Sequence, residues 1–343
     1  MRGKRRRLPA NIFVFLFLAA GAAVLLRWML WEKNEFTSSP RTVIIGRGEG
    51  LAQVAQKFGD AGIIHNTMLF KLAGRILGSA GKIRPGKYSF ISGKSNLELL
   101  ADITEGKSFV YPSVTLYEGI RASQIAHLLH DQAGIDSAKF MTAVADTSLI
   151  EIAGHNAASL EGFLMPDTYE FAWQTDERVV AKRLLAQFRE FFVDSLRRRA
   201  KSLRYSIREI LTVASIVEGE TRLDTERPIV AGLYYNRLKK RMRLEADPTI
   251  RYLLPNGTRR IHFNDLEIES PYNTYRNYGL PPAPINNPGR NSILAALYPA
   301  RHSYLYFVAD GKGGHRFSKT FDEHKQNVRL YHKARAAASR AER

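Results

Sequence analysis

The 343-residue chain contains no cysteine, so its chemistry has to come from oxygen and nitrogen groups, without disulfides, thiolate metal sites or cysteine nucleophiles. Among its carboxylates Glu218 has the most informative setting. The apolar run Ile207–Val217 has helical periodicity and leads into Glu218-Gly219-Glu220-Thr221. At 100° per residue, Ile207, Leu211 and Ala214 fall within about 40° of Glu218, which places that carboxylate on an apolar stripe. Burial there is expected to raise its pKa. A carboxyl group that keeps its proton near neutral pH is what a general acid for glycosidic cleavage requires. Glu220 lies about 200° round the same helix, so the two acids are not a simple dyad. The competing reading of Glu218 is a buried structural carboxylate paired with an arginine such as Arg222 or Arg227. His262, His302, His315 and His324 lack metal-ligand spacing such as HExxH and read as structural or surface residues, so no metal is expected. Asp310-Gly311-Lys312-Gly313-Gly314 lacks the frame of a phosphate loop and reads as a turn before Arg316-Phe317.

Several elements must carry these residues. At 45% hydrophobic and 24% charged, the chain suits two or so domains with their own cores and excludes a disordered or collagen-like class. Its formal charge is +18, of which six Lys/Arg and no acid fall in residues 1–31, leaving +12 for the rest. A basic surface suits nucleic acid, anionic lipid or acidic polysaccharide, and charge alone does not choose. From Leu8 to Leu26 there are 19 residues without a charge, and Trp28–Trp31 continue past Arg27, enough for a transmembrane helix. The Arg2–Arg7 cluster predicts a cytoplasmic N-terminus, with everything after Glu32 outside. A cleaved signal peptide, using the small residues Ala19–Ala23, is the rival reading. Export leaves the basic segment Lys182–Arg204 without a nucleic-acid ligand, and it reads as a solvated helix face.

A short pattern repeats beyond the polar segment 33–41. Val43-Ile44-Ile45, Gly48 and Gln53-Val54-Ala55 recur at an offset of 71 as Val114-Thr115-Leu116, Gly119 and Gln124-Ile125-Ala126. Each copy reads as a β-branched strand, a Gly turn and a helix. The first ends in a Pro85-Gly86 turn and the strand Lys87–Phe90. Strand, helix, helix and turn-plus-strand over residues 42–93 resembles a LysM domain, a glycan-binding module of cell-wall proteins, although Arg47-Gly48-Glu49-Gly50 departs from the usual opening turn. A small α+β spacer is the other reading of the same unit.

The longer motifs are more specific. Ala214–Thr221, Glu226-Arg227, Asn236-Arg237-Leu238, Met242–Thr249, Tyr272-Asn273-Thr274-Tyr275 and Gly279-Leu280-Pro281-Pro282 follow in that order, with Leu160–Tyr169, Pro284–Gly289 and Tyr304–Gly311 in support. Through them the chain closely resembles the MltG (YceG-like) family of membrane-anchored endolytic murein transglycosylases, over essentially its whole length. The resemblance implies that Glu218 is the catalytic acid/base. It implies cleavage of the bond between N-acetylmuramic acid and N-acetylglucosamine without water, leaving a 1,6-anhydro end, in a role that terminates nascent glycan elongation. Two positions depart from the family: Gly219 replaces a longer polar residue, and Glu245 replaces glutamine before Ala246-Asp247-Pro248-Thr249. On such a substrate, Asn273 is a candidate to hold an acetamido or hydroxyl group, and Tyr272 and Tyr275 could stack on sugar faces. Their alternative is a packed loop with a capping Asn. Asp247 reads equally as a helix cap or a cleft residue, while Glu161, Asp167 and Glu220 are candidates to orient Glu218 or balance its charge.

The expected architecture is α+β. It comprises a cytoplasmic basic tail (1–8), a transmembrane anchor (9–31), a linker (32–41), a LysM-like domain (42–110), a mixed α+β catalytic domain (111–335) and a basic tail (336–343). Expected partners are peptidoglycan glycan strands and the inner membrane, with cell-wall synthases as an open class and no nucleic acid. No cofactor is expected, since no lysine in these motifs is marked as a pyridoxal-phosphate ligand. The rival functions are a hydrolytic muramidase, which needs a second carboxylate to activate water, and a non-enzymatic glycan-binding scaffold built on the LysM-like unit.

Overall fold

The computed structural model describes residues 10–146, 148–149, 159–255 and 260–341. The chain forms two compact units, one of residues up to Ser113 together with Glu170–Thr175, the other of Val114–Tyr169 together with Asp176 onward. Helices and short two-stranded sheets alternate in both, an α+β architecture.

In the first unit, α1 (Ala10–Trp31) is followed by β1 (Lys33–Asn34), β2 (Arg41–Ile45), α2 (Leu51–Asp60), α3 (Thr67–Ile76), β3 (Gly86–Phe90), β4 (Lys94–Ser95) and α4 (Asn96–Glu105). Alternation in β2 buries Val43 and Ile45, and the strand pairs antiparallel with β3, Val43 opposite Tyr88. Phe58, Phe70, Phe90, Leu99 and Ile103 close the core beneath that sheet. Helix starts are capped as the sequence allows. Asn66 accepts from Met68 and Leu69 N–H, and Ser95 forms a capping box with Glu98.

Among the described residues no helix is long and apolar enough to cross a membrane, and the anchor expected over 9–31 begins outside them. The uncharged part of α1, Ala10–Leu26, covers about 25 Å as a helix. The last turn of α1 joins the core of this unit, where Met29 and Leu30 are buried and the Met29 carbonyl accepts from Asn96 Nδ2 at 2.9 Å. The linker expected over 32–41 is folded as well, with β1 paired to β4 and Phe36 packed on the core.

In the second unit, β5 (Ser113–Thr115) pairs with β6 (Thr168–Glu170), and α5 (Ala122–Ala133) packs on α6 (Ser137–Val144). The offset-71 repeat is therefore structural. Gly48 and Gly119 both adopt left-handed φ, +81° and +78°. In both copies the glutamine three residues past the helix N-cap accepts that cap's own N–H, Gln53 from Gly50 and Gln124 from Arg121. Next come α7 (Glu177–Phe191), α8 (Asp194–Ser202), α9 (Ile207–Glu220), α10 (Arg227–Lys239), α11 (Asp247–Leu253) and α12 (Arg290–Leu297). The β7 (Tyr306–Ala309) and β8 (His315–Ser318) hairpin and α13 (Phe321–Ala341) complete the unit. Residues 336–341, expected as a tail, continue α13. Helix α9 is its centre: every residue from Ile210 to Val217 is buried, and α10, α11 and α12 pack round it.

Candidate active site

The site is built where α9 emerges from this core. Ser206 and Glu209 form a capping box that fixes the start of the helix, and its buried length sets the position of Glu218 in the last turn. The Glu218 side chain is 6% exposed and both of its oxygens are engaged. Oε1 accepts from Arg227 Nη2 on α10 at 2.9 Å, and Oε2 accepts from the Gly289 N–H at the start of α12, also at 2.9 Å. Glu218 is thus both buried on its apolar stripe and paired as in the competing reading. Its partner is one of the two arginines weighed from sequence.

Arg227 binds more than Glu218. Its Nη1 pairs with Asp224, and its Nη2 also lies 3.5 Å from Glu118 Oε2. Three carboxylates therefore share one guanidinium, which is itself 6% exposed. Glu118 stands on the turn between β5 and α5. Burial and the neighbouring Glu218 charge raise its pKa, against the pull of Arg227. Gly119 follows it, and a Cβ there would approach Glu218 Cγ to 3.3 Å, so the left-handed turn is also a close-packing position.

Gly119 and Gly219 line a cleft of about 560 Å³ whose walls include Tyr117, Arg121, Arg251 and Asn286. Among the described residues no acidic side chain is part of its lining, and Glu118 and Glu218 each immediately precede a lining glycine. Arg121 is fixed by donating to the Arg251 and Tyr252 carbonyls at the end of α11, where cations suit the helix dipole. Asn286 donates through Nδ2 to the Ser215 carbonyl, and its buried Oδ1 has no hydrogen-bond partner in the protein. An orphaned acceptor in a cleft wall suits a ligand N–H or O–H. Among the described residues no group of three or more His, Cys, Asp or Glu gathers as a metal site.

The other candidates fall elsewhere. Glu161 is held by the Ala122 N–H and by Asn287 Nδ2 at 2.7 Å, and burial raises its pKa to about 7. Asn287 in turn receives the Gly162 and Leu164 N–H groups, so Glu161 braces the segments around the site without touching Glu218 in the hydrogen-bond pattern. Glu220 accepts from Tyr234 Oη at 2.6 Å, and burial likewise raises its pKa to about 7. Asn273 is fully buried: Nδ2 donates to the Leu266 and Ile268 carbonyls and Oδ1 accepts from Tyr275 N–H. It is a loop clamp, and its candidacy as a sugar ligand is corrected accordingly. Tyr275 donates to Asp247 Oδ1 at 2.6 Å at the start of α11, and the Tyr272 ring packs on Tyr252. Asp167 pairs with Arg290. Glu245 is taken up by Arg237 at 3.1 Å, and Gly219 is explained by Pro248, which a Cβ would meet at 2.6 Å. Glu118, Asp224 and Asn286 did not emerge as site residues from sequence. The one available signal for Glu118 was its place beside the repeated glycine.

Against known proteins, the YceG-like family model matches residues 43–330. An endolytic murein transglycosylase of Bacillus subtilis is 32% identical over 330 residues, covering 92% of this chain and 91% of that protein. One of Streptococcus pneumoniae serotype 2 is 26% identical over 318 residues, covering 84% of this chain and 57% of that longer protein. A 2.6 Å crystal structure of a yceG-like protein from Listeria monocytogenes aligns with a TM-score of 0.59 at 29% identity, over 84% of this chain and 99% of that one. With a family model spanning most of its length and a relative of this identity covered nearly end to end, the chain belongs to the YceG-like family.

Proposed function

We propose that this chain is a membrane-anchored endolytic lytic transglycosylase that cuts peptidoglycan strands between N-acetylmuramic acid and N-acetylglucosamine. The observation that carries the reading is Glu218, held by Arg227 and the Gly289 N–H and followed by Gly219, which with Gly119 lines the cleft. The names of the relatives supply the substrate class. In the scheme, a carboxyl group protonates the leaving glycosidic oxygen as oxocarbenium character develops at the muramic carbon. The muramic C6 hydroxyl then closes on that carbon, and its proton returns to carboxylate. Because the nucleophile is intramolecular, with a large effective molarity, no activated water is required. Asn286 Oδ1 suits the N–H of an acetamido group in the cleft. The β-α-α-β order of β2, α2, α3 and β3 supports a LysM-like module that holds glycan. The basic cluster before an uncharged stretch whose Phe15, Phe17 and Val24 are exposed supports the anchor, with the catalytic unit outside the cytoplasm. Terminating nascent strands is the role that fits an endolytic cut close to the membrane.

The second reading, a hydrolytic muramidase, is favoured by the carboxylate of Glu118 beside Glu218. Mass spectrometry of products from purified glycan strands decides between the two. Anhydro ends are expected, reducing ends would carry the hydrolytic reading, and no cleavage by the wild type would leave a binding scaffold. Glu218→Gln keeps the size of the side chain and loses the proton carrier, so turnover should fall by about 10²–10⁴-fold while the fold persists. Residual turnover within about tenfold of wild type would move the acid/base role to another group.

A further inference from the structure

We propose that Glu118 is a second acid–base residue of this site, sharing the Arg227 guanidinium with Glu218 and carrying the proton that the leaving glycosidic oxygen receives. The inference rests on the transglycosylase reading and divides between two groups the work that a one-carboxyl scheme gives to Glu218. Its starting point is that Glu218 accepts a hydrogen bond on each oxygen, from Arg227 and from Gly289. Held in this way, the side chain presents no free O–H to a substrate, while the second lone pair of each oxygen stays open to accept a proton. Glu118 is arranged the other way. It has one long contact to Arg227, its side chain is 46% exposed, and its neighbours Tyr117 and Gly119 both line the cleft.

Three further observations converge on Glu118. A Cβ on Gly289 would lie 1.9 Å from Glu118 Oε1, so the same glycine that donates to Glu218 leaves room for Glu118. The charge count favours a proton in the cluster: Glu118, Glu218 and Asp224 surround a single guanidinium, and like charges held this close disfavour full ionisation. Burial and the charge of Glu218 push the Glu118 carboxyl upward, as does Asp224, against the pull of Arg227. Finally, the repeat supplies an internal control. The residue before the left-handed glycine is Arg47 in the first copy and Glu118 in the second, so the turn itself does not call for an acid.

The step balances without water. Glu118 gives its proton to the glycosidic oxygen as the bond from that oxygen to the muramic carbon breaks. The C6 oxygen bonds to the same carbon, its proton passes to Glu218, and a proton returns from Glu218 to Glu118 to restore the site.

The test uses the full chain in detergent on uncross-linked glycan strands, following kcat across pH, product ends and melting temperature. Glu118→Gln should lower kcat by about a hundredfold, leave the melting temperature near that of wild type because the side chain is half exposed, and remove the alkaline limb of the pH profile. Glu118→Asp, which keeps a carboxyl group, should retain that limb, and it provides the same readout if the Gln variant folds poorly. A loss of less than tenfold, or a larger loss with an unchanged pH profile, overturns the proposal. If those variants still yield anhydro ends at near-normal rates, only the role of Glu118 falls. Wild type yielding no anhydro ends removes the underlying reading along with it.

Discussion

The two copies of the β–turn–α repeat share a strand, a left-handed glycine and a glutamine that caps its own helix, yet they differ at the positions that frame the turn. In the first copy Arg47 is exposed and donates to the Gln174 carbonyl, and Gly50 opens α2. In the second, Glu118 meets Arg227, and Arg121 opens α5 and reaches the last carbonyls of α11. The shared frame is what local backbone chemistry dictates; the differences are where the second copy meets Arg227 and the end of α11. Fold and function therefore separate at single residues within one sequence pattern.

The comparison breaks most sharply if Glu118 can be displaced without touching it. Gly289 has φ −72°, a conformation open to alanine, but the added methyl would occupy the place of Glu118 Oε1. Gly289→Ala should therefore push a flexible, half-exposed side chain away from Arg227 while the backbone stays. We expect kcat to fall tens-fold, in keeping with the cost of about an ångström of misplacement, and melting temperature to change little. Unchanged kcat in a variant whose Glu118 has moved would mean that the second turn is distinguished by something other than this carboxylate.

How far the sequence reached follows from the range of the interactions. The repeat, the α+β class and the emergence of Glu218 from an apolar helix rest on local periodicity, and all were legible. The arginine pairing of Glu218 was legible only as an alternative, because Arg227 is nearby in sequence but lies on the next helix. Glu118 was hidden because its partner is 109 residues away. Asn273 misled for a similar reason: its side chain closes on the carbonyls of Leu266 and Ile268, and backbone acceptors leave no mark in side-chain identity. The burial of Met29 and Leu30 escaped because an apolar helix end looks alike whether it faces lipid or a protein core.

A smaller difference between the two units lies in their buried acids. Asp102 in the first pairs with Lys94 and accepts from Ser108, whereas Glu161 and Glu220 in the second accept their hydrogen bonds from neutral groups. Both of the latter have pKa values raised to about 7, chiefly by burial. Because the folded value exceeds the unfolded one, the native state holds the extra proton between about pH 4.5 and 7, and the stability of the second unit should fall as pH rises through that window. The effect is on the order of 3 kcal/mol per group. Glu220→Gln keeps an acceptor for Tyr234 and removes the titration, so it should flatten the slope of melting temperature against pH. A slope as steep as that of wild type would show that Glu220 is not the group responsible.

The smallest expected effect comes from giving the first turn the residue of the second. Arg47→Glu removes an exposed hydrogen bond to the Gln174 carbonyl and leaves Gly48 and the Gln53 cap untouched. Loss of one solvent-exposed contact should cost less than about 1 kcal/mol. It is Glu118, not residue 47, that contacts Arg227, so kcat should stay within about twofold of wild type. The way KM moves carries the further information. If KM is unchanged as well, the opening turn of the first copy takes no part in holding glycan, and any binding by that unit uses another face. A raised KM with unchanged kcat would place the Arg47 turn in substrate capture, since interactions made equally in ground and transition states act on KM alone. A fall in kcat comparable to that of Glu118→Gln would break the comparison outright, because the two turns would then both serve the chemical step.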